Sequence, residues 1–141
     1  MSLKNKTALI TGSNRGIGLS ILKGLARGGC NVIAHSRQSC DEFLGVAKEI
    51  AEKHNVEIIH VYFDLEDTVS MRSELLSVFK RKIPIDILVN SAGIIHGGLF
   101  QMTPISNIRH VLNVNLFGML EVTQLVCKYM FAHYFCVLLP G

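Results

Sequence analysis

The chain has 141 residues, 49% hydrophobic and 18% charged, with a formal net charge of +3 and a mean hydropathy of +0.36. That is one domain's worth of chain, read as a single unit over residues 1–141 and apolar enough for a sheet buried on both faces. The scattered cations form no stripe interleaved with aromatics, which argues against nucleic acid; no apolar run reaches the ~18 residues of a membrane span, and Met1 to Lys6 leaves no room for a signal peptide, so a cytoplasmic protein is expected.

Thr7 to Ile10 reads as a buried strand. Thr11-Gly12-Ser13-Asn14-Arg15-Gly16-Ile17-Gly18 follows it, and then Ile17, Ile21, Leu22, Leu25 and Ala26 recur at helical spacing from about Gly16. Gly28-Gly29 can end that helix through a left-handed residue. Asn31 to His35 is a second strand. Ser39-Cys40-Asp41-Glu42 has capping-box spacing and opens a helix with Phe43, Ala47, Ile50 and Ala51 on its apolar stripe, closing near His54-Asn55.

Val56 to Phe63 is a third strand with Asp64 at its end. Val69, Arg72, Leu75, Leu76 and Phe79 mark a third helix that ends in Lys80-Arg81-Lys82, where cations suit the helix dipole. Ile85 to Val89 is a fourth strand, running into Asn90-Ser91-Ala92-Gly93. Thr103 as N-cap and Pro104 at the first helical position open a fourth helix through Ile108, Leu112, Leu116, Met119, Thr123 and Val126. That helix is expected to reach about Phe131, roughly 40 Å, with Phe135 to Leu139 beginning a fifth strand.

Alternating strands and helices, with connections too long for hairpins, give an α/β fold: a Rossmann-type, doubly wound parallel sheet in three αβα layers. In such a sheet, ligands bind beyond the C-terminal strand ends, beside the first strand. The Thr11–Gly18 turn, Ser36-Arg37, Asp64 and Asn90–Gly93 all follow strands and gather at that edge. Glycines there allow a tight turn and let a phosphate approach the backbone, while the helix start offers unpaired N–H groups and its positive dipole end. Cys30, Cys40, Cys127 and Cys136 have no C-x-x-C spacing, and the six histidines add no zinc pattern, so no metal is expected.

The Thr11-Gly-x-x-x-Gly16-x-Gly18 turn, the Asn90-Ser-Ala-Gly93 segment and Asn115-Leu116 in the long helix together resemble the classical short-chain dehydrogenase/reductase family, from about Lys4 to Met130. Within it the chain looks closest to 3-oxoacyl-(acyl-carrier-protein) reductases. The resemblance implies that Gly12, Gly16 and Gly18 line a pyrophosphate turn, with Thr11, Asn14, Arg15 and Ile17 around it. It makes Asp64, followed by Leu65, the acidic residue beside an adenine, against the plainer reading of a strand-end cap. Asn90, Ala92 and Gly93 match the family's N-N-A-G signature, whose second asparagine is Ser91 here.

NAD binders carry an acidic residue after the second strand, and NADP binders need cations there. Ser36 and Arg37 occupy that position, Arg15 lies in the turn, and no carboxylate stands between Val32 and Cys40. Guanidinium groups suit a phosphate, so NADP(H) is expected. Two solvated arginines is the bland alternative.

The family reduces a carbonyl or acyl-thioester substrate by hydride transfer, with a Tyr-x-x-x-Lys pair, a serine and a helix asparagine. Asn115 matches the asparagine. An ungapped alignment carries the serine and the Tyr-x-x-x-Lys pair beyond Gly141. Tyr129 is followed at the fourth position by His133, and neither Tyr62 nor Tyr134 has the lysine. The expectation is the NADP(H)-binding portion of an oxidoreductase, inactive by itself. A non-catalytic nucleotide- or partner-binding module and an unstable truncated product are the alternatives, and the resemblance implies a homo-oligomer through the fourth helix. The tail from Ala132 departs from the family, as a fragment, a frameshift or a variant would.

Overall fold

The computed structural model describes residues 2–138, and side chains through residue 133. Strands β1 (Thr7–Thr11), β2 (Asn31–Ser36), β3 (Ile58–Tyr62) and β4 (Ile87–Asn90) form one parallel sheet in the order β3-β2-β1-β4. Helices α1 (Gly16–Arg27), α2 (Asp41–His54) and α3 (Thr68–Lys80) connect them. After β4, a 3-10 turn (Phe100–Met102) leads into α4 (Ile105–Leu112), which passes through a π-helical segment (Asn113–Gly118) into α5 (Met119–Leu138).

Successive residues of a strand face opposite sides of its sheet, and β1 uses both sides. Ala8 and Ile10 pack with Leu22 and Ala26 of α1 and with Phe43, Ala47 and Ile50 of α2. Leu9 packs with Met71, Leu75 and Val78 of α3 and with Val122 and Val126 of α5. Two apolar layers, one per face, make the three-layer αβα Rossmann arrangement. Leu9, Ile10 and Ile33 are wholly buried, and each such side chain stabilises the fold by roughly 1.5–3 kcal/mol.

Helix ends follow local chemistry. Gly29 takes φ +86° and its N–H reaches the Ala26 carbonyl, ending α1. Asn55 takes φ +53° as the left-handed cap of α2. Because the chain winds outward from β1 to β3 and then returns to β4 on the other side, the crevice between β1 and β4 is the topological switch point.

Five local expectations need correction. Cys40, not Ser39, is the N-cap of α2, and it makes no side-chain capping bond. Pro104 takes the N-cap of α4, because the Thr103 hydroxyl donates instead to the Leu99 carbonyl (3.0 Å) and closes the preceding turn. The buried stripe of α3 is Met71, Leu75 and Val78, while Val69 and Leu76 face solvent. Strands β3 and β4 are shorter than expected, since Val56 N–H still bonds the Ala51 carbonyl of α2 and Ile85 enters the core before pairing begins at Ile87. The expected fifth strand is absent over Phe135 to Leu138, which continue α5; Leu139 lies outside the described residues. Nothing breaks the backbone ladder between Phe131 and Leu138: the stretch holds neither proline nor glycine.

Candidate functional site

The site begins with a threonine below the surface. Thr11 ends β1, and its Oγ1 accepts hydrogen bonds from the backbone N–H groups of Ser91 (3.0 Å) and Ala92 (3.1 Å). It thereby pins the segment after β4 against the segment after β1. Gly12 follows with φ +64°, and a Cβ on it would lie 2.7 Å from Ala92 Cα, so the two loops touch backbone to backbone. A Cβ on Gly18 would collide with the Gly12 carbonyl. Gly16 differs. It takes φ +55° with nothing within 4 Å of where a Cβ would be, so open space lies above the start of α1.

These loops border a cleft of about 700 Å³, a size typical of small-molecule sites. Gly12, Asn14, Arg15, Gly16, Ile17 and Gly18 form one wall; Arg37 stands at the end of β2, Asp64 and Leu65 after β3, and Ala92 and Gly93 after β4. The structure thus brings together most of the residues named from the sequence. Asp64 serves twice, lining the cleft while its Oδ1 accepts from Glu66 N–H (3.0 Å) to close a turn.

Four named residues stand behind the wall. Thr11 acts through its bonds to the Ser91 and Ala92 N–H groups. Ser36 is buried and donates to the Gln38 carbonyl (3.0 Å). Asn90 donates to the Thr123 hydroxyl of α5 (2.9 Å). Asn115, in the π-helical segment, accepts from Ile94 N–H (2.8 Å) and donates to the Ile94 carbonyl (2.7 Å), so both polar atoms of its amide hold the loop after β4. Its helix comes close because Gly118 packs on Leu65, where a Cβ would meet the Leu65 backbone.

Sequence reading missed His35, Phe63, Ile94, His110 and Val114, which also line the cleft. His35 and Phe63 read as ordinary strand residues. The ring of His35 accepts at Nδ1 from Gly12 N–H and bonds the Phe63 carbonyl through Nε2. Burial pushes its pKa below the usual value, against smaller opposing effects of the Phe63 bond and the Asp64 charge. His110 pairs with Glu66 (Nδ1 to Oε2, 2.6 Å) at the mouth. Among the described residues no group of three or more His, Cys, Asp or Glu is placed to hold a metal ion, and no helix is long and apolar enough to cross a membrane.

The geometry fits an extended anion-bearing ligand: a glycine cradle with open space at a helix start, with Arg37 after β2 and Asp64 after β3 on the adjacent strand ends to one side of it. The chain is similar to known proteins over most of its length. The chain is 37% identical over 129 residues to 2-dehydro-3-deoxy-D-gluconate 5-dehydrogenase of Bacillus subtilis, covering 92% of this chain and 49% of that protein. Its fold superposes on L-sorbose reductase from Gluconobacter frateurii, solved with NADPH and L-sorbose, with a TM-score of 0.85 at 26% identity over 94% of this chain and 50% of that one. It also superposes on a 3-oxoacyl-(acyl-carrier protein) reductase from Brucella melitensis, solved with NAD, with a TM-score of 0.81 at 30% identity over 91% of this chain and 50% of that one. The chain therefore spans about half the length of the relatives it matches. The short chain dehydrogenase model matches residues 6–134, and the chain belongs to that family.

Proposed function

We propose that this chain is the NADP(H)-binding portion of a short-chain oxidoreductase that reduces a carbonyl or acyl-thioester substrate. The observation that carries the reading is the pairing of the open Gly16 cradle with Arg15 and Arg37 on the same cleft. The turn's N–H groups and the α1 dipole receive a pyrophosphate. Arg15 and Arg37 supply cations where a 2′-phosphate sits, and no carboxylate precedes Cys40 on β2 to repel it. Asp64 and Leu65 border the adenine end. L-sorbose reductase was solved with NADPH, which supports the same choice, and the Brucella reductase with NAD makes it a matter to measure.

A bound nicotinamide dinucleotide supplies a hydride. The chain's own part is to bind and orient it, with Asn115 holding the Ile94 backbone so that the loop after β4 stays against the cleft. The family's serine and Tyr-x-x-x-Lys are not matched within these residues.

Calorimetric titration tests this. NADPH is expected to bind more tightly than NADH, and Arg37→Asp to reverse the order. Equal affinities overturn the NADP(H) assignment.

A further inference from the structure

His35 is a buried ionisable side chain to which the proposed function assigns no role, and its ring stands between two strand ends that the function needs. Nδ1 lies 3.2 Å from the Gly12 nitrogen and Nε2 lies 2.9 Å from the Phe63 carbonyl oxygen. The ring stacks on Phe63 with centroids 3.9 Å apart. A backbone N–H only donates and a carbonyl only accepts, so the two bonds together require one form of the ring: neutral, with the proton on Nε2 and a bare Nδ1. An imidazolium would set a donor against the Gly12 donor. The main chain of the same residue grips the next step of the turn, since Ser13 N–H (2.9 Å) and Ser13 Oγ (3.0 Å) both donate to the His35 carbonyl.

Gly12 has little freedom to move without consequence. It abuts Ala92 on one side, and its carbonyl abuts Gly18 of α1 on the other. A shift of Gly12 is therefore passed to the helix start and to the loop after β4.

We propose that His35 is a positioning residue of the dinucleotide site, whose neutral Nε2–H tautomer holds Gly12 at the pitch where the turn receives a pyrophosphate and ties that turn to the Phe63–Asp64 strand end. The proposal rests on the dinucleotide reading given above. The charged and titratable groups that share the cleft with the ring are Arg15 from the turn, Arg37 after β2, Asp64 after β3 and His110 of α4, which is paired to Glu66. Measurements at one neutral pH keep their states constant between variants.

Two substitutions separate the ring's two bonds. In His35→Asn the amide oxygen takes the place of Nδ1 and accepts from Gly12. In His35→Gln the longer amide reaches the place of Nε2 and serves Phe63 alone. NADPH and NADH are titrated against each, with urea unfolding to establish that each is folded. H35Q is expected to weaken dinucleotide binding about tenfold or more, as the Gly12 N–H loses its acceptor, and H35N to recover most of that loss. In the wild type, nitrogen-15 NMR of the ring is expected to show a protonated Nε2 and a bare Nδ1, and the Gly12 amide resonance to move in H35Q and stay near its place in H35N. Wild-type affinity in folded H35Q, or a wild-type ring protonated on Nδ1, overturns the proposal alone. If H35Q does not fold, the wild-type tautomer and the H35N affinity decide it. Failure of the wild type to bind either dinucleotide overturns the dinucleotide reading, and the proposal with it.

Discussion

Thr11, the buried His35 and the half-buried His60 carry the residue-scale chemistry. Thr11→Val keeps the shape of the side chain and removes the acceptor for two backbone N–H groups. The expected loss is about 1–3 kcal/mol in urea unfolding, while Thr11→Ser stays near wild type; equal stability of T11V would show that the hydroxyl does not pin the two loops. His35 and His60 are both held below the usual histidine pKa, chiefly by burial. As pH falls, the unfolded chain takes up protons before these folded rings do. Stability is therefore complete above about pH 6.5 and declines as pH falls toward the lowered folded values. Calorimetric melting temperatures are expected to drop across that window. His60 Nδ1 is buried without a hydrogen-bond partner, and its ring meets Phe43 edge-on at 5.3 Å. His60→Phe is accordingly expected to be neutral or stabilising and to reduce the acid sensitivity; an unchanged pH profile would assign that sensitivity elsewhere.

Among the elements, the π-helical segment between α4 and α5 does the most to shape the site. Its i→i+5 bonding widens the helix at Asn113–Gly118, with Asn115 against Ile94 and Gly118 against Leu65. One segment thus touches the loops after both β3 and β4. Asn115→Ala removes both bonds to Ile94, and amide exchange at Ile94 is expected to accelerate at least severalfold while the protected core of β1 and β2 is unaffected. Unchanged exchange at Ile94 would place the loop's order in its bonds to Thr11 instead. Asn115 was legible in the sequence as a family match; the π-turn that presents it was not, because nothing in the side-chain pattern of Asn113 to Gly118 distinguishes i→i+5 from i→i+4 bonding.

For the whole molecule, the decisive feature is the side of the sheet beyond β4. Among the described residues β4 pairs with β1 and with no strand on its other side. Nearby helices expose Phe117 of the π segment and Leu120 and Phe131 of α5. An open strand edge beside apolar surface is a template for association. Light scattering of the chain is expected to show mass rising with concentration, and Phe117→Lys to lower it. A monodisperse monomer at all concentrations would mean that this face is tolerated bare.

Sequence by itself determined the order of elements through β4, the parallel sheet, the glycine turn and the family. These depend on short-range signals: apolar periodicity for the layers, and Gly12, Gly16 and Gly18 where a side chain is sterically excluded or a left-handed φ is required. It also located Arg15, Arg37 and Asp64 at one edge, because every parallel strand delivers its following residue there. Tertiary structure decided what lies beneath that edge. Thr11, Asn90 and Asn115 turned out to hold loops, and His35 joined Gly12 to Phe63, because those hydrogen bonds link residues 21 to 81 positions apart in the chain. Cap choice at Cys40 and Pro104, and the helical course of Phe135 to Leu138, were also settled outside the local pattern. A periodic signal records which face a residue turns to the core; the partner it finds there depends on the packing of distant segments.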